Sequence, residues 1–102
     1  MSVLHIINKS PFEGNSLDSC LRLALADSAI LLIEDGVYAV LKNSAASERL
    51  QQALQKHRVC ALQPDMQARG IAADAMIDGI ETVDYDGFVA LTTEFDKSQS
   101  WL

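Results

Sequence analysis

The chain has 102 residues, enough to build one hydrophobic core and too few for a second. Hydrophobic residues make up 49% and charged residues 22%, the balance of a folded domain rather than a disordered one. Eight basic against 14 acidic side chains leave a charge of −6, which repels phosphate backbones and argues against direct nucleic-acid binding.

Val3-Leu4-His5-Ile6-Ile7 reads as a first strand, ended by Asn8-Lys9-Ser10-Pro11 because Pro11 cannot donate to a ladder. Asn15 or Ser16 is placed to cap a helix whose inner face is Leu17, Cys20, Leu21, Ala24 and Leu25, three and four residues apart. Ala29-Ile30-Leu31-Leu32-Ile33 has no polar alternation, so it reads as a central strand buried on both faces of a parallel sheet. Asp35-Gly36 is expected to stop that strand, glycine supplying the conformations of a sharp exit. A loop or short helix through Val37 to Leu41 follows.

Ser44 or Ser47 caps a second helix carrying Leu50, Ala53, Leu54 and His57 on one stripe. Arg58-Val59-Cys60-Ala61-Leu62 is a third strand, after which Pro64 opens a short helix that Gly70 closes. Residues 71–79 read as a loop with Met76 and Ile77 tucked inward, and Ile80 to Asp84 as a fourth strand. Asp86 is expected to cap a last helix bearing Phe88, Leu91, Thr92 and Phe95, leaving Ser98 to Leu102 as a tail. Alternating strands and helices predict one small α/β domain, its mostly parallel sheet of about four to five strands flanked by helices.

Chemistry-bearing motifs are sparse. Neither G-x-G-x-x-G nor G-x-x-x-x-G-K-[ST] occurs, so no phosphate cradle opens a helix. His5 and His57 are isolated, and no C-x-x-C is present, so no metal or other cofactor is expected. No apolar run approaches the ~18–20 residues that cross a bilayer, and Met1 to His5 lacks the basic segment of an export signal. Two cysteines 40 positions apart then fit the reducing cytosol better than a disulfide framework. A cytoplasmic location without membrane contact is expected.

Cys20 is the candidate for thiol chemistry, because a helix start lowers the pKa of a thiol placed there. Its place on the stripe of Leu17, Leu21 and Ala24 favours a core role instead. Cys60, inside a strand, reads as core. Asp35 orders its turn unless a second titratable group stands beside it. Trp101 and Leu102 close a polar tail, and either fold back on the core or dock on a partner.

Leu4-His5, Lys9-Ser10-Pro11-Phe12 and Glu34-Asp35-Gly36-Val37-Tyr38-Ala39 resemble the DsrH/TusB family. So do Asp65 with Ala68-Arg69-Gly70, Asp84-Tyr85 with Phe88-Val89 and Leu91-Thr92, and Gln99-Ser100-Trp101-Leu102. Each motif is short, and their order and spacing from end to end carry the resemblance. It implies a DsrE-type fold and a subunit of a cytoplasmic sulfur-relay complex. There the chain would assemble with DsrE/TusD-like and DsrF/TusC-like subunits as a heterohexamer. The complex would pass persulfide sulfur to a DsrC/TusE-like acceptor without metal or cofactor, the principal persulfide cysteine lying on the DsrE/TusD-like chain. Two destinations stand open. Asn8 to Glu13 and Ser16-Leu17-x-Ser19-Cys20-Leu21 look like the DsrH branch, which serves sulfur oxidation, and on those residues that branch is expected. The alternative is the TusB branch, which feeds 2-thiolation of the wobble uridine in tRNA. For the role of this chain, a scaffold and docking subunit and a sulfur carrier through Cys20 are both kept.

Overall fold

Five strands lie side by side in the order β4-β3-β2-β1-β5, every neighbouring pair parallel. The strands are β1 (Val3–Ile7), β2 (Ala29–Leu32), β3 (Arg58–Leu62), β4 (Glu81–Val83) and β5 (Lys97–Trp101). The helices are α1 (Ser16–Leu23), α2 (Ser47–Ala53), α3 (Gln63–Ala68) and α4 (Tyr85–Glu94), with 3-10 segments at Glu34–Val40 and Ala73–Ala75. This computed structural model describes residues 2–101, so Leu102 lies outside the described residues. The chain steps from β1 outward to β4, then crosses through α4 to the far side of β1, where β5 completes the sheet.

β2 is the central strand, and Ala29, Ile30, Leu31 and Leu32 are all fully buried, as an unbroken apolar run requires. Alternation divides them. Ile30 and Leu32 join Ile7, Val59 and Ala61 under α1, α2, α3 and the Glu34–Val40 segment. Ala29 and Leu31 join Leu4 and Cys60 on the opposite face, covered by Leu91 of α4 with Phe88 and Phe95 beside it. One face thus carries three helices, and the other carries one.

Several expectations are corrected. α1 ends at Leu23, so Leu25 is not on its inner face and stands 65% exposed. The N-cap of α1 is Asn15, whose side chain makes no capping hydrogen bond, and α2 begins after Ala46 without one. The cap of α4 is Asp84, not Asp86: its carboxylate accepts from the Gly87 amide at 2.8 Å. Ser98 to Trp101 belongs to β5 and is not a free tail. Gly36 has a different role from the one expected. The left-handed residue after β2 is Glu34, with φ 51°. A Cβ on Gly36 would instead sit 2.3 Å from the Ile7 carbonyl oxygen, so glycine is required by close backbone approach.

Candidate functional site

The carboxyl ends of the strands are where α/β sheets place their working groups, and here that rim is acidic. Asp65 falls in the first turn of α3, just after Pro64, and its Oδ2 accepts from the Glu34 amide at 2.6 Å. Arg69 reaches back from the end of α3, donating from Nε to Asp35 Oδ1 at 2.9 Å and from Nη1 to the Asp65 carbonyl at 3.2 Å. The hydrogen bond to Asp35 holds the Arg69 guanidinium above its ordinary pKa. Two short motifs separated in sequence thus close into one clamp over the end of β2. It fixes the left-handed Glu34 and engages Asp35 with a cation. Among the described residues no group of three His, Cys, Asp or Glu side chains could hold a metal ion.

The cysteines lie elsewhere. Cys20 is the fifth residue of α1, past the first turn, and is fully buried beneath it. Burial pushes its thiol up to about 12. Cys60 is also fully buried, on the other face of the sheet, with Sγ 3.9 Å from Glu81 Oε2. Burial first, then the Glu81 carboxylate, pushes it up to about 11. Both are free thiols. The thiolate is the nucleophile in sulfur transfer, and at neutral pH both groups stay protonated inside the core. The helix-start argument for Cys20 fails on position as well as on burial.

Trp101 pairs with Ile7 at the end of β5 and packs half-buried on the larger core cluster. Its Nε1 donates to His5 Nδ1 at 3.0 Å, with ring centroids 6.0 Å apart and planes inclined by 45°. Burial, then the neighbouring His57, lowers the His5 pKa, which keeps Nδ1 free to accept.

What the sequence reading left unremarked is the outer side of α4. Tyr85 and Val89, one turn apart, are 60% and 62% exposed, while Phe88 and Leu91 turn inward. The signal was present: Tyr85, Phe88, Val89, Leu91 and Phe95 are more apolar groups than one core-facing stripe uses.

A family described as DsrH like protein matches residues 9–98. Protein TusB of Serratia proteamaculans is 35% identical over 99 residues, spanning 97% of this chain and 100% of the relative. Protein TusB of Pectobacterium parmentieri is 32% identical over the same extent, and that of Shigella flexneri 33%. Among solved structures, the ychN protein from E. coli superposes with a TM-score of 0.83 at 24% identity, over 98% of each chain. MTH1491 from Methanobacterium thermoautotrophicum gives 0.69 at 22% identity, over 94% of this chain and 95% of that one. The structural likenesses bear on the fold alone. The chain belongs to the DsrH/TusB family.

Proposed function

We propose that this member of the DsrH/TusB family is a TusB-type subunit of a sulfur-relay complex. Its part is to dock and hold the sulfur-carrying chains rather than to carry sulfur itself. The observation that carries this role is the burial of both thiols, each held protonated well above neutral pH. A relay cysteine must meet its donor and its acceptor as a thiolate. The exposed row of Tyr85 and Val89, on the face covered by α4 alone, supplies apolar surface of the kind obligate interfaces bury.

The destination follows the relatives. The sequence motifs favoured the sulfur-oxidation branch, but relatives 32–35% identical over nearly the whole chain carry the name TusB. That supports 2-thiolation of the tRNA wobble uridine as the end of the relay. The partners on this reading are TusD-like and TusC-like chains in a heterohexamer and a TusE-like acceptor, in the cytoplasm. Among the described residues no helix is long and apolar enough to cross a membrane. The net charge of −6 fits a subunit that meets protein partners rather than the tRNA itself.

Co-expression with TusD-like and TusC-like chains tests the proposal. A stable heteromer is expected by light scattering, and deleting this subunit should lower 2-thiouridine in tRNA. A monodisperse monomer that ignores both chains would overturn the role. Co-purification with sulfite reductase components, with tRNA thiolation intact in the deletion, would move the destination back to sulfur oxidation.

A further inference from the structure

A groove of about 430 Å³ runs between α1 and α2. Its walls concentrate charge of one sign. Arg22, Arg49 and Lys56 are three of the eight Lys and Arg residues in a chain whose net charge is −6, and all three line this groove. Among the described residues Asp18 is the one carboxylate in the lining, and both of its oxygens are engaged by Arg49 Nη1. Arg22 and Lys56 have no acidic partner among the described residues. The floor is apolar, made by Leu21 and Ala53. His57 closes one end, and its Nδ1 is buried without a hydrogen-bond partner.

We propose that this groove binds a small organic phosphate of mononucleotide size. The volume lies within the ~300–1,000 Å³ of small-molecule sites. The Arg22 guanidinium on α1 and the Lys56 ammonium, just past the end of α2, suit the tetrahedral oxygens of a phosphate, and the guanidinium fork recognises them in pairs. An apolar floor between cationic walls takes the flat face of a base or another uncharged body. Extended nucleic acid is not the ligand that fits, because the surface beyond the groove is acidic overall and supplies no continuous phosphate track.

The test is a titration of the ¹⁵N-labelled full chain with AMP, adenosine and inorganic phosphate. AMP should give saturable amide shifts confined to residues 18–22 and 49–57. Adenosine and phosphate, each supplying half of the chemistry, should bind more weakly. Arg22→Gln and Lys56→Gln should each weaken AMP by about tenfold, as loss of a charge-assisted contact does. Lys97→Gln, on the β5 edge and outside the groove lining, should leave binding unchanged. Absence of AMP shifts in the groove, or equal AMP affinity in wild type and both groove variants, would overturn the proposal. A short single-stranded RNA that outcompetes AMP with a steep salt dependence would also overturn it, in favour of a nucleic-acid contact.

Discussion

The indole of Trp101 and the imidazole of His5 are joined by a 3.0 Å hydrogen bond between the last strand and the first. The bond needs His5 neutral, with Nδ1 as acceptor. Trp101→Phe keeps a ring against the core but removes the donor, and should cost about 1 kcal/mol in a denaturant titration. Trp101→Ala should cost more, about 2–3 kcal/mol, because the half-buried ring also leaves a void. If the side chain served only a partner, both variants would melt like wild type in isolation.

His5 also sets a pH dependence. Its folded pKa lies below the ordinary 6.5, through burial first and His57 second. Below that value the unfolded chain takes up a proton at His5 that the fold resists. Stability is therefore full above pH 6.5 and falls as the pH drops towards the lower folded pKa. His5→Gln should flatten part of the slope of melting temperature against pH between neutral and mildly acid conditions. An unchanged slope would remove His5 from the account.

For the cysteines, slow modification is expected. Neither Cys20 nor Cys60 should react with iodoacetamide in the folded chain on the timescale of a surface thiol, and a persulfide donor should leave no adduct of about +32 Da. Cys20→Ser places a hydroxyl in the core and should destabilise by about 1–3 kcal/mol. The raised pKa adds an alkaline signature: the fold keeps the proton that the unfolded thiol gives up, so stability falls as pH rises from 9.0 towards about 12. Cys20→Ala should lose that part of the slope. A persulfide adduct on folded wild type, absent in Cys20→Ser, would make this subunit a carrier.

Gly36→Ala should be among the most damaging small changes in the chain. The added carbon would sit 2.3 Å from the Ile7 carbonyl oxygen, a backbone atom that cannot swing aside. A loss of about 3 kcal/mol is expected, the upper end for overpacking. Gly14→Ala, where nothing lies within 4 Å, is the matched control and should be neutral or slightly stabilising. Equal melting temperatures for the two variants would contradict the packing argument.

On α4, Val89→Asp should leave the isolated chain within about 0.5 kcal/mol of wild type, as an exposed substitution does. The same change should weaken assembly with the partner chains at least about tenfold if this face is the docking surface. Undiminished assembly would point to another face.

The sequence was legible where burial imposes a pattern. β1 to β3 are apolar runs, and the unbroken one at Ala29–Leu32 is the fully buried strand. β5 was not legible, because Lys97-Ser98-Gln99-Ser100 lies at the sheet edge, exposed, and needs no apolar alternation. Leu25 misled because it continues the three-and-four spacing of Leu17, Cys20, Leu21 and Ala24 past the point where the helix ends. Asp84 and Asp86 are equally good caps by type, and the point where β4 ends chooses between them. The clamp of Asp65 and Arg69 on residues 34–35 joins segments about thirty positions apart, and only the fold brings them together. The groove of Arg22, Arg49 and Lys56 is hidden for the same reason.

β1 is an interior strand with two very different neighbours in time. Its register with β2, Leu4 opposite Ala29, is available early in synthesis. Its register with β5 sets Val3 opposite Lys97, and the Ser2 amide donates to Asp96 Oδ2 across 94 positions. Closing the longer loop costs roughly 1 kcal/mol more in chain entropy, at about 0.6 kcal/mol for each doubling of length. A chain emerging from the ribosome therefore presents the outer rim of Val3–Ile7 as an unpaired, apolar template for other chains. That hazard persists until residues 97–101 have been made, and a polar strand of only five residues then seals it.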